Sequence, residues 1–183
     1  MEGLHDWHEF YLMLGSSAAA LVALLFVAIS IGVGFYTHRN TAGTRTFTSP
    51  VIVHFSAVLF ISAMALAPTH GVVTLFALIG AGVVGAGVAI VTTSHIFDFM
   101  GDGMVEAIDN YAYGLIPLAA YVGVIASGIL LFNHWEWAPE LLAASVLTQL
   151  LVNIRNAWDL MLSVVRRQSG IEKRQRANRA SSR

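Results

Sequence analysis

The sequence predicts an all-α integral membrane protein, a bundle of five transmembrane helices with one amphipathic interfacial helix. Three observations carry this. Hydrophobic residues make up 56% of the 183 residues, charged residues only 11%, and the mean hydropathy is +0.69. A soluble domain is about 25% charged. The apolar residues gather in long runs separated by short polar stretches, the pattern of a chain that crosses a bilayer repeatedly. The charges are also sorted. Arg166 to Arg183 carry seven positive charges and one negative, while the first 165 residues carry three positive and ten negative, which together give the net charge of −1.

The first span is expected over about 10–36. It holds no charge and many small side chains, Gly15 to Ala20 among them. About 20 residues suffice to cross the hydrocarbon, so this run is long enough to tilt or protrude. The segment before it lacks the basic start of a secretory signal, which predicts a retained anchor. Arg39 and Arg45 mark a polar loop. Ser49-Pro50 is expected to open the second span, 50–67, because Ser caps helices and Pro fits their first position. Pro68 ends that span, and Thr69-His70-Gly71 turns the chain into a third, 71–94. Gly80, Gly82, Gly85 and Gly87 give the third span small-residue spacings that let helices pack closely in lipid.

Over about 96–109 the apolar residues Phe97, Met100, Met104 and Ile108 oppose Asp98, Asp102, Glu106 and Asp109. This reads as the interfacial helix, interrupted near Gly101-Asp102-Gly103. The fourth span is expected over 112–132, with a kink at Pro117. Trp135 and Trp137 in the following loop suit a membrane–water boundary. The fifth span is expected over 140–165, closing the bundle of residues 1–167. Residues 168–183 form a basic cytoplasmic tail suited to anionic headgroups, at about 1 kcal/mol per Lys or Arg. The tail has no aromatic residues between its charges, which argues against nucleic acid as a partner.

Five spans place the termini on opposite sides. The positive-inside rule puts the basic tail and the Arg39/Arg45 loop in the cytoplasm and the acidic N-terminus outside.

The fifth span is the most informative. Ser145, Thr148, Gln149, Asn153, Arg155, Asn156, Asp159 and Ser163 fall within an arc of about 160° on a helical projection. Arg155 and Asp159 are i, i+4 and can pair. Counted back from Arg166, Arg155 falls near mid-membrane, where a charge costs about 3 kcal/mol or more and must face protein or water. The residue types suit either a polar seam joining helices or a path for protons or cations.

His5, His8, His70 and His134 all fall on the outer side of this topology, and imidazoles there can ligate zinc or copper. On the inner side His54, His95, Asp98 and Asp102 are candidates for binding a cation or a proton. There is no cysteine, no phosphate-binding loop, no zincin helix and no nucleophile elbow. The sequence therefore requires no cofactor and names no reaction, and an enzyme is the less expected class.

Two segments, His8-Glu9-Phe10-Tyr11 running into Leu14-Gly15-Ser16-Ser17-Ala18-Ala19-Ala20-Leu21, and Ile154-Arg155-Asn156-Ala157-Trp158-Asp159-Leu160, resemble a group of small bacterial integral membrane proteins that has no assigned function. The resemblance implies a bacterial inner-membrane location. It also singles out Glu9, Arg155, Asn156, Trp158 and Asp159. The function expected first is helix packing, as a homo-oligomer or an accessory subunit of a membrane complex. A proton- or cation-conducting assembly lined by the last span comes second. A metal-binding protein or enzyme using the outer histidines comes third.

Overall fold

A computed structural model describes residues 4, 6–33, 41–68, 71–100 and 114–181. Among the described residues the chain is all helix, with no strand: α1 (His8–Val33), α2 (Thr41–Leu66), α3 (Gly71–Met100), α4 (Ile116–Phe132) and α5 (Ala138–Ser181). Two helical stretches, His8–Ala28 and Gly71–Ser94, are long and apolar enough to cross a membrane. Pro50–Leu66 and Ile116–Phe132 are shorter apolar stretches of 17 residues each. The apolar part of α5 is diluted by its own polar residues.

Packing follows the chain. α1 lies on α2, α3 on α4, and α4 on α5, while α2 also meets α3 and α5. α2 is the hub. Its buried residues Val51, His54, Phe55, Val58, Ile61 and Ser62 recur at steps of three and four, one stripe of a helix. α1 answers with Tyr11, Leu14, Ala18 and Leu25, and α4 with Tyr121 and Val124. At one end the Tyr11 hydroxyl donates to the Pro139 carbonyl at 3.4 Å, which holds the start of α1 beside the start of α5.

Several boundaries differ from the sequence expectation. α2 begins at Thr41, so Ser49 is not its cap and Pro50 lies inside the helix. The Ser-Pro pair is a start signal in water because an interior proline there removes a bond and clashes. Inside a bundle, neighbouring helices relieve that cost. α3 continues unbroken to Met100, so residues 96–100 are its last turns and not a separate interfacial helix. The remainder of that expected helix lies outside the described residues. Pro117 falls in the first turn of α4, where its missing N–H is no loss and no kink is required. α5 runs 44 residues, about 66 Å. Residues 168–181 of the expected tail thus extend the last helix.

α4 and α5 are joined by a tight turn. His134 has φ 59°, the left-handed conformation that usually falls to Gly or Asn after a helix. The Trp135 N–H donates to the Leu130 carbonyl at 3.1 Å and closes the end of α4.

Candidate functional site: a buried polar cluster between α2, α4 and α5

The glycines of α3 set the distance to α4. A Cβ at Gly85 would overlap the Tyr121 ring, and one at Gly82 would overlap Ile125. With both positions bare, Tyr121 enters the interior and is fully buried. Its hydroxyl lies 2.7 Å from Nδ1 of His54 on α2, and the two rings sit 5.5 Å apart, tilted by 38°.

One turn earlier on α4, the Pro117 carbonyl accepts from Gln149 Nε2 of α5 at 3.3 Å. Asn153 Nδ2 in turn donates to the Gln149 carbonyl at 2.7 Å and reaches Gln149 Oε1 at 3.3 Å. One turn of α4, Pro117 to Tyr121, therefore holds a histidine from α2 and Gln149 from α5, and Gln149 in turn holds Asn153 of its own helix.

Most other hydroxyls in the bundle bond back to their own helix. Thr92, Thr93, Ser127, Ser145 and Thr148 each donate to the carbonyl four residues before them. Three buried polar atoms among the described residues find no such partner: His54 Nε2, Ser62 Oγ and Asn153 Oδ1.

The polar arc of α5 is divided by the packing. Ser145, Gln149, Asn153 and Asn156 are buried together with Leu142, Val146 and Leu150. Arg155 and Asp159 stand at the other edge of the arc, their side chains 47% and 38% exposed, with Nε and Oδ2 3.7 Å apart. A half-exposed pair of this geometry is worth at most about 1 kcal/mol. Trp158 beside them is 65% exposed. The fold thus turns the Arg155–Asp159 pair outward and Gln149, Asn153 and Asn156 inward.

Glu9 is exposed in the first turn of α1, where a carboxylate suits the helix dipole. That end of α1 lies beside the start of α5, roughly 25 Å along α5 from Arg155, so Glu9 and the pair are not brought together. His8 and His134 are exposed at that same end. His5, His70 and Asp102 lie outside the described residues, as do the side chains of His95 and Asp98. Among the described residues no three His, Asp or Glu side chains converge on a metal position.

The His54–Tyr121 contact was not expected from the sequence. The two residues are 67 positions apart. The available signal was a histidine on the apolar face of α2 and a tyrosine facing glycines. No known protein family, curated protein or solved structure matches the chain.

Proposed function

We propose that the chain is a five-span protein of the bacterial inner membrane, N-terminus outside and C-terminus in the cytoplasm, that acts by helix packing as a homo-oligomer or as an accessory subunit. One observation carries this reading. Within α3, the space a Cβ would take at Gly82 and Gly85 is occupied by α4, but a Cβ at Gly80 or Gly87 would meet nothing within 4 Å. Glycine weakens a helix by about 1 kcal/mol relative to alanine. Two outward glycines two turns apart have no use inside the bundle, whereas they allow a neighbouring helix to approach closely. Phe76, Val83, Val84 and Val91 are exposed around them.

The same reading assigns depth to the charged pair. With Trp135 and Trp137 at the outer boundary, Arg155 lies about 26 Å further along α5, close to the far edge of a hydrocarbon layer about 30 Å thick. There Arg155 and Asp159 reach headgroups and water, and the mid-membrane penalty expected from the sequence does not arise.

The test is the assembly state in mild detergent or nanodiscs. We expect a defined oligomer or a co-purifying membrane partner, weakened by Gly80→Leu or Gly87→Leu with the monomer fold intact. A monomeric, partner-free protein would sink the proposal.

A second reading, proton or cation conduction, draws support from the unpartnered polar atoms of His54 and Asn153. Flux into liposomes, compared between the wild type and His54→Phe, is its test, since Arg155 and Asp159 face away from the interior. Flux equal to that of empty liposomes would dismiss it.

A further inference from the structure

We propose that Arg155 and Asp159 form a docking site on α5 for a zwitterionic aminophospholipid, a phosphoethanolamine headgroup whose phosphate meets Arg155 and whose ammonium meets Asp159. The inference rests on the five-span placement above and goes beyond it in naming the class of lipid.

The site lies on an uncovered stripe of the last helix. Leu151, Arg155, Trp158 and Leu162 recur at steps of four and three, one face of a helix. Leu151, Trp158 and Leu162 are exposed. The Arg155 and Asp159 side chains stand half-exposed among them, with Nε and Oδ2 3.7 Å apart. That separation is longer than a hydrogen bond, so the two charges lie side by side and are loosely held.

In the five-span placement two tryptophans give the depth. The rise from Trp137 to Trp158 is about 31 Å, against a hydrocarbon layer about 30 Å thick. Both side chains are exposed, as suits rings at the two membrane–water boundaries. Arg155 then lies one turn to the hydrocarbon side of Trp158, where its long stem carries the guanidinium out to the phosphates. Asp159 lies on the water side.

The order of the two charges selects the headgroup. A zwitterionic phospholipid carries its phosphate next to the glycerol and its ammonium at the far end. Arg155 and Asp159 offer the complementary charges in the same order, about 6 Å apart along the axis. Arginine grips phosphate oxygens through its planar fork, and a primary ammonium brings N–H donors to the carboxylate. A purely anionic headgroup would set its charge against Asp159. The helix itself gives no reason for this order, because an acid preceding a base is the better i, i+4 arrangement. Toward the bilayer centre the surface continues with exposed Leu151 and Ile154. Those side chains offer a bed for acyl chains, which favours a lipid over a soluble phosphate compound.

The test is the lipid that the full chain retains. The protein is reconstituted in vesicles of equal parts phosphatidylethanolamine, phosphatidylcholine and phosphatidylglycerol. It is then extracted with its nearest lipids in polymer discs, and these are counted by mass spectrometry. We expect the ethanolamine lipid to be enriched over the choline lipid by about two- to fivefold, the scale a half-exposed charge contact allows. Arg155→Asp combined with Asp159→Arg keeps the ion pair and reverses its order, and should return that ratio to the bulk value with phosphatidylglycerol unchanged. Asp159→Asn removes only the partner of the ammonium and should do the same, which covers a poorly folded double variant. A wild-type ratio equal to the bulk would overturn the proposal, as it would if a second copy covered the stripe and excluded lipid. A ratio indifferent to both variants, or phosphatidylglycerol retention that follows the pair instead, would overturn it too.

Failure of the placement has a different signature. Trp137→Cys and Gly170→Cys would then react with an impermeant thiol reagent from one side of a vesicle. Failure of the lipid site alone shows as unselective retention with labelling from opposite sides.

Discussion

At the scale of single residues, the structure turns on a few close approaches. Tyr121 occupies the space left by Gly85, and its hydroxyl serves His54. Gly85→Ala should therefore force the ring aside and destabilise the bundle by about 1–3 kcal/mol, as overpacking does, read as a lowered melting temperature. Gly87→Ala, which meets open space, should leave that temperature unchanged or raise it. Tyr121→Phe keeps the packing but strands His54 Nδ1, and a loss of about 1–3 kcal/mol is expected. His134 holds a left-handed conformation that disfavours any side chain by roughly 1–2 kcal/mol. His134→Gly should raise stability, and a lowered melting temperature would show that its side chain contributes something the turn needs.

At the scale of elements, the sequence was legible where hydropathy alone decides. Helices α1, α3 and α4 coincide with apolar runs of the sequence, because 17 or more apolar residues in a row leave few alternatives to a helix that hides them from water. It misled where soluble rules were applied to α2. Ser49-Pro50 is a good start signal, yet the helix begins at Thr41 and accepts Pro50 within it. Removing that proline restores an N–H able to bond the Thr46 carbonyl. Pro50→Ala should slow amide exchange in the turns around residue 50, with a gain approaching about 3 kcal/mol locally. The polar arc of α5 was also legible, but a helical projection cannot say which part of an arc the neighbours cover. Only the placement of α4 and α2 separates Gln149 and Asn153, which turn in, from Arg155 and Asp159, which turn out. The His54–Tyr121 pairing needed the fold itself, since no local spacing links residues on α2 and α4.

At the scale of the whole molecule, the sequence is free of cysteine, which makes the proposed topology directly testable. Single cysteines introduced at Trp137 and at Gly170 should react with an impermeant thiol reagent from opposite sides of a sealed vesicle. Labelling from the same side would overturn the five-span arrangement. The extension of α5 through Ser181 carries a whole-molecule prediction as well. Gly170→Pro should remove helical signal corresponding to about a dozen residues or fewer while the bundle melts as before. Loss of bundle stability would mean that the extension packs back onto it.

The length of α4 has one more consequence. Seventeen residues from Ile116 to Phe132 rise about 25 Å, and the apolar stretch of α2 is equally short. In the proposed five-span arrangement, lipids of a bilayer about 30 Å thick would compress their chains beside these helices to meet the headgroups. In that arrangement the protein would be bordered by thinned lipid beside α2 and α4 and by less strained lipid along the longer α3, which packs on both. Such an asymmetric collar draws the molecule toward thin membranes. It also draws copies together along their short flanks, where each contact removes deformed lipid. Lengthening the acyl chains of a reconstituted bilayer should therefore strengthen clustering without changing any residue.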